Sequence, residues 1–273
     1  MTSTSLKSVK PRTIGVFDSG VGGLSVLHHI RESLPSERLI YVADSAHVPY
    51  GDKSPTYIEQ RARSISSFLI EQGAEAIVIA CNTATAAAVA SLRSQFSIPI
   101  VGMEPAVKPA VAATKSGVVG VLSTIGTLES ARFAALLERH GEEIEIVTQA
   151  CSGLVEQVES GELNGVRTRE LVERYTAPLL ARRADTLILG CTHYPFLAPL
   201  IREVIGNDIM LIDTGAAVAK QLLRRIHTER PDYEHGDTSA QFFTSGNTAQ
   251  ASHIMSLLWG EAVKAQLLPH RYL

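Results

Sequence analysis

A chain of 273 residues, 45% hydrophobic and 19% charged, is long enough to bury a sizeable core in one large or two ordinary domains. Its net charge of −3, with 25 basic residues scattered along the chain, excludes the dense basic footprint of a nucleic-acid binder. No apolar run approaches the roughly 18 residues a membrane span needs, and Lys7, Lys10 and Arg12 are followed by Asp18 and glycines instead of the about 7–15 apolar residues of a secretory signal. Cytoplasmic residence is therefore expected. Cys81, Cys151 and Cys191 are an odd number of cysteines, which fits reduced thiols better than a disulfide framework.

Residues 1–12 are polar and expected to fray. Ile14 to Phe17 reads as a short buried strand that runs into Asp18-Ser19-Gly20-Val21-Gly22-Gly23, where the glycines permit a tight turn and close backbone approach before a helix opens at Leu24. The spacing is wrong for a dinucleotide-binding loop, and an acid occupies the place of the pyrophosphate. Arg38 to Ala43 is a second strand, ending at Asp44-Ser45 and the loop His47-Val48-Pro49-Tyr50-Gly51. Ile58, Ala62, Ile65 and Leu69 follow helical spacing, with Gly73 placed to end the helix. A third strand, Ala76 to Ala80, stops at Cys81-Asn82-Thr83 ahead of an Ala-rich helix over Thr85 to Leu92, and Ile98 to Val101 makes a fourth.

Around Gly102 to Pro105 the pattern restarts. Gly117 to Leu122 is again a glycine-flanked strand, ending at Ser123-Thr124. Phe133, Leu136 and Leu137 mark a helix stopped by Gly141, and Ile144 to Val147 a strand followed by the loop that carries Cys151. A helix over Thr168 to Arg183 leads to Thr186-Leu187-Ile188-Leu189-Gly190-Cys191-Thr192-His193, which repeats the design of the Cys81 strand. Pro195 and Pro199 confine the helix start after it. Ile209 to Ile212, Gln241 to Thr244 and a helix over Thr248 to Trp259 complete the chain. Gly15 to Cys81 spans 66 residues and Gly120 to Cys191 spans 71, the mark of an internal duplication at domain size. The expected fold is α/β: two similar domains with mainly parallel sheets, related by pseudo-twofold symmetry, with the active site in the cleft between them. Residues 1–103 and a returning 214–273 form the first domain, and 104–213 the second.

Ligands of open α/β sheets bind outside the carboxyl ends of the strands, where Asp18-Ser19, Tyr50-Gly51, Cys81-Asn82-Thr83, Ser123-Thr124 and Cys191-Thr192-His193 all fall. The helix start expected after each cysteine favours anions, including thiolate over thiol. Two thiols on opposite walls of a cleft can remove a proton from one face of a carbon and deliver one to the other, which is what a racemase requires. Asp18 and His193 stand beside the thiols in sequence, suited to tuning them or relaying protons. Taken singly, a strand-end cysteine is most often a small buried hydrophobe, and Cys151 has no matching context to lift it above that reading. Three or four convergent ligands with metal spacing are not evident, nor is a strand-end lysine for pyridoxal phosphate.

The stretches Gly15 to Leu24, Tyr41 to Asp44, Pro49 to Gly51, Cys81 to Ala84, Gly190 to Pro195 and Ile212-Asp213 together closely resemble the cofactor-independent aspartate/glutamate racemase family. The resemblance implies interconversion of L- and D-glutamate without metal or pyridoxal phosphate, supplying D-glutamate for peptidoglycan, by an enzyme that is usually a homodimer. Carried onto this chain, Cys81 and Cys191 are the proton donors and acceptors, with Asp18 assisting near Cys81 and His193 near Cys191. Ser19, Tyr50, Gly51, Asn82, Thr83, Thr124, Thr192 and His193, with Asp18, match substrate-contacting positions, and Glu159 matches an assisting carboxylate. Relatives acting on aspartate tend to carry Glu in place of His193, which favours glutamate. The alternatives are a racemase of another acidic amino acid, such as aspartate, and a non-catalytic protein that holds an acidic amino acid in the cleft.

Overall fold

A computed structural model describes residues 11–140, 144–226 and 239–273. The polar stretch at 1–10 and the helix-stopping Gly141 lie outside the described residues. Strands β1 (Thr13–Asp18), β2 (Arg38–Ala43), β3 (Ala76–Ile79) and β4 (Ile100–Val101) belong to one sheet. Strands β5 (Val118–Ser123), β6 (Glu145–Ala150), β7 (Thr186–Leu189) and β8 (Met210–Ile212) form another. The chain then returns to the first sheet with β9 (Ala240–Thr244) and β10 (Ala265–Leu267). All pairings are parallel, in the orders β10-β9-β2-β1-β3-β4 and β6-β5-β7-β8.

The order β2-β1-β3-β4 repeats as β6-β5-β7-β8, and the register repeats with it. Gly15 pairs with Ile77, four residues before Cys81; Gly120 pairs with Leu187, four residues before Cys191. The hydrogen bonds at the strand ends match as well. Ala80 N–H donates to Phe17 O and Gly190 N–H to Leu122 O, both at 2.8 Å; Asp44 N–H donates to Asp18 O and Cys151 N–H to Ser123 O, both at 3.0 Å. The chain thus places Cys81 and Cys191 at one position of the same α/β design used twice, and Asp44 and Cys151 at another.

Parallel strands need helical crossovers on both faces, so their side chains are buried whichever way they point. Every residue of β1, β3 and β7 is buried. The central strands carry glycine where a helix crosses closely. A Cβ on Gly15 would lie 3.0 Å from Leu69 Cδ1, and one on Gly120 only 2.4 Å from Leu187 Cδ2 and 2.8 Å from Leu179 Cδ1. Gly73, at φ 88°, lies just past the helix Pro55–Glu71, a left-handed turn that costs glycine little.

Element bounds moved where sequence signals were weak. The fourth strand shortens to Ile100–Val101, next to Pro99, which has no N–H to give. The strand expected over Ile144 to Val147 runs instead from Glu145 to Ala150, and the polar Thr148 and Gln149 that hid its end pair with Val121 and Leu122. The edge strand β10, three residues long, and the helix Val107–Ala113, seven residues long with Pro109 inside it, are too short to show a period. Among the described residues no helix is long and apolar enough to cross a membrane.

The glycine contacts set a stability expectation. Gly120→Val overpacks the β5 crossover and should cost about 1–3 kcal/mol, read as a lower urea midpoint with unchanged slope.

Candidate active site

Cys81 sits where β3 hands over to the helix Asn82–Gln95, in extended backbone (φ −144°, ψ 124°), and its thiol caps that helix by accepting Ala84 N–H at 3.4 Å. Beside it, β1 ends in Asp18, which is wholly buried. The Gly23 N–H donates to Asp18 Oδ2 at 2.7 Å, the Ser19 hydroxyl lies 3.4 Å from Oδ1, and Cys81 Sγ is 3.8 Å from Ser19 Oγ. Burial raises the Asp18 carboxyl above its ordinary range against the opposing pull of His193, with the charge of Glu159 adding to the rise. Burial, and then the charge of Asp18, push the Cys81 thiol well above its usual range, so it rests protonated. The expectation that the helix start would favour its thiolate is thereby corrected: the one amide reaching sulfur is outweighed by desolvation.

Cys191 follows β7, but no regular α-helix begins there. Residues 191–193 form a turn that leads into a 3-10 turn over Tyr194–Leu197, and the helix Ala198–Ile205 starts only afterwards. The reason lies in the sequence, since Pro195 and Pro199 cannot donate to a helix running through them. Instead of a helix start, Cys191 has His193, whose Nδ1 lies 3.6 Å from Sγ. The other ring nitrogen, Nε2, is 2.7 Å from Oε1 of Glu159, at the end of the helix Leu154–Glu159, and the same oxygen accepts Val21 N–H at 2.7 Å from across the cleft. Burial alone would lower the imidazole pKa. The hydrogen bonds with Cys191 and Glu159, reinforced by the nearby charges of Cys191 and Asp18, carry it well above 6.5, so His193 is an imidazolium at neutral pH.

Both cysteines line one cavity of about 280 Å³, mouth included, together with Ser19, Tyr50, Gly51, Asn82, Thr83, Thr124, Thr192 and His193. Its interior is narrow, with room for about one water-sized sphere. Asn82 is 4% exposed and both polar atoms of its amide lack a partner within the protein, so the cavity wall presents a donor and an acceptor to a ligand. Thr83 Oγ1 lies 2.8 Å from Thr124 Oγ1 and 3.1 Å from Thr127 Oγ1, which ties the two halves together at the cavity rim. The Tyr50 hydroxyl donates to Asp44 Oδ2 at 2.6 Å, and Arg61 grips both oxygens of Asp44 at 2.8 and 2.9 Å, fixing the loop that carries Tyr50 and Gly51.

Of the residues singled out in sequence, Asp18 and Glu159 stand behind this wall, acting on Thr192 and His193: Thr192 Oγ1 is 3.5 Å from Asp18 Oδ2. Pro49, Val155 and Gly190 also line the cavity and were not anticipated. Val155 had one signal, its spacing of four from Glu159, which sets both on one face of a short helix. The Asp44–Arg61 pair had none, because the two lie on different elements. The Cys151 thiol approaches Gln149 O at 3.3 Å, and burial pushes its pKa up to about 12. Among the described residues no three His, Cys, Asp or Glu side chains converge as a metal site.

Residues 14–222 match the family described as Asp/Glu/Hydantoin racemase. The chain belongs to this racemase family. It is 58% identical over 249 residues to the glutamate racemase of Pseudomonas paraeruginosa, covering 90% of this chain and 94% of that one. Its fold superposes on the Escherichia coli glutamate racemase solved with L-glutamate and the activator UDP-MurNAc-Ala (TM-score 0.84, 32% identity, 94% of this chain and 97% of that one). It also superposes on the Francisella tularensis glutamate racemase solved with D-glutamate (TM-score 0.80, 28% identity, 96% and 98%). This racemase therefore shares its two-sheet α/β fold with glutamate racemases solved with either enantiomer.

The His193–Glu159 pair yields a pH expectation. The folded-state pKa of His193 lies above its unfolded value, so the stability it contributes is complete below about pH 6.5 and is lost as pH rises through the folded value. Urea midpoints of the native protein and His193→Gln should therefore differ most below pH 6.5 and converge in alkali. In NMR titrations, Glu159→Gln should move the imidazole pKa downward.

Proposed function

We propose that this racemase interconverts L- and D-glutamate by a two-thiol mechanism, with D-glutamate as a peptidoglycan precursor. The observation that carries the reading is the placement of Cys81 and Cys191 at equivalent strand ends on one shared cavity. The names and bound glutamates of the relatives supply the substrate.

In one direction, the thiolate of Cys191 takes the α-proton, and the Cys81 thiol then delivers its own proton to the opposite face of the carbon. The carbon is inverted, Cys191 is left protonated and Cys81 becomes thiolate. The reverse reaction exchanges the roles. His193 stabilises a negative sulfur at Cys191 by hydrogen bond and charge, with Glu159 fixing its ring and tautomer. Near Cys81, Ser19 stands between sulfur and the Asp18 carboxyl, giving a short proton route. Asn82, Thr83, Thr124, Thr192, Ser19 and the free N–H groups at the start of the helix Asn82–Gln95 orient the carboxylates and stabilise the charge that develops on the α-carboxylate as the proton leaves. Acceptor and donor both come from the chain, so the scheme uses neither pyridoxal phosphate nor metal.

In this reading residues 1–103 and 214–273 form the Cys81 domain and 104–213 the Cys191 domain. The narrow cavity means that the two part to admit a five-carbon diacid and close around it. We further assign the enzyme to the cytoplasm and to a homodimer, as the family resemblance implies.

The test is turnover of D-glutamate in heavy water, which should give L-glutamate carrying deuterium at the α-carbon. Cys81→Ser and Cys191→Ser should each lower racemisation by about 10²- to 10⁴-fold. Native turnover in both variants would remove the thiols from the mechanism. A preference for aspartate would reassign the substrate, and saturable glutamate binding without α-hydrogen exchange would make the protein a binder.

A further inference from the structure

The carbonyl of Thr192, between Cys191 and His193, has no donor in its own turn. The N–H three residues on would ordinarily take it, but that residue is Pro195, which has none. The N–H of Phe196 is committed to His193 O at 3.2 Å. At the equivalent place beside Cys81 the carbonyl belongs to Asn82, the first residue of a 14-residue helix, whose own ladder serves it. The Thr192 carbonyl is served from outside: Ser25 Oγ, on the helix Leu24–Ser33 of the opposite half, lies 2.8 Å from it and 2.8 Å from Gly22 O. Since Gly22 O already accepts Ser25 N–H at 3.0 Å, the one hydroxyl proton is available to Thr192. Gly22 in turn is the seat of the histidine, since a Cβ there would lie 2.2 Å from His193 Nδ1.

From this arrangement we infer that Ser25 is a positioning residue for the reaction, supplying the donor that Pro195 lacks and holding the Cys191–His193 turn against the opposite half when the cleft is closed. The inference rests on the two-thiol reading. Ser25 is not among the residues lining the cavity and makes no bond to Cys81, so its loss acts directly on the Cys191 side. The enantiomers have equal free energy, so kcat/KM must stay equal in the two directions. The one-sided effect appears instead in the α-deuterium isotope effect, which rises for the enantiomer whose proton Cys191 removes.

The experiment measures racemisation from each enantiomer, with protium or deuterium at the α-carbon, in the full-length native protein and in Ser25→Ala, Ser25→Thr and Gly22→Ala. Ser25→Ala should lower kcat about 10- to 100-fold with a smaller change in KM, and raise the isotope effect from one enantiomer only. Ser25→Thr, which keeps the hydroxyl, should recover most of the loss. Gly22→Ala, which displaces His193 directly, should show the same one-sided isotope effect and serves if Ser25→Ala does not fold. Native-like turnover in Ser25→Ala, equal losses in the Ala and Thr variants, or an isotope effect that rises equally from both enantiomers would overturn the inference. A native protein that fails to racemise would overturn the two-thiol reading instead. NMR titration of His193, which faces Glu159, Cys191 and Asp18, then still reads the turn without turnover: Ser25→Ala should shift it toward the ordinary histidine range and Ser25→Thr should not.

Discussion

One carboxylate oxygen, Oε1 of Glu159, joins the two halves at the point where they meet the chemistry. It accepts the Val21 amide from the first half and faces Nε2 of His193 from the second, both at 2.7 Å. A carboxylate as little exposed as this one, at 14%, is held best when its lone pairs are satisfied and an opposite charge stands close. Here the imidazolium is that charge, and it in turn answers to Asp18 as well as Glu159. Two glycines of the turn, Gly20 and Gly22, leave room for the same contact. A Cβ on Gly20 would fall 1.9 Å from Glu159 Oε1. The run that looks at first like a phosphate loop is a seat for an acid and an imidazole from the opposite half.

The duplicated frame is symmetric in backbone and asymmetric in chemistry. Equivalent strand ends carry Asp18 and Ser123, Asp44 and Cys151, Thr83 and His193. At these strand ends the first half carries the carboxylates and the second the imidazole, while the acid paired with that imidazole, Glu159, comes from the second half as well. Cys81 is embedded at a helix start next to a carboxyl that holds its proton on; Cys191 lies in a proline-broken turn next to a cation. Such a difference suits a pair in which one sulfur starts as donor and the other as acceptor. A strict copy would place two equal thiols in equal surroundings, with no charge to decide which proton moves first.

Much of this was legible in the sequence because strand ends in parallel sheets are where function collects. The apolar runs ending at Asp18, Cys81 and Cys191 had both the β pattern and the punctuation, so the strands, the duplication and the two thiols could be read together. The partners of those residues were less visible. Glu159 emerged only by resemblance, since the six-residue helix that it ends is too short to give a periodic signal. Arg61 and Ser25 act across elements, through contacts that spacing along the chain does not encode. The protonation of Cys81 was misread for a related reason. A helix start can be read from sequence, but the depth at which it is buried cannot, and burial decides the sign.

Proline at 195 shows how a local rule becomes a long-range one. By denying the Thr192 carbonyl its neighbour's N–H, it leaves a backbone acceptor that must be satisfied from elsewhere, because an unpaired buried carbonyl costs as much as a lost hydrogen bond. The nearest source is a hydroxyl on the other half. In the proposed opening and closure, water would replace Ser25 at that carbonyl when the halves part, and Ser25 would return as they close. The same movement would bring Val21 back to Glu159 and Gly22 back to His193. Closure and assembly of the Cys191 side would then be one event, whereas the Cys81 thiol keeps its helix cap in either state.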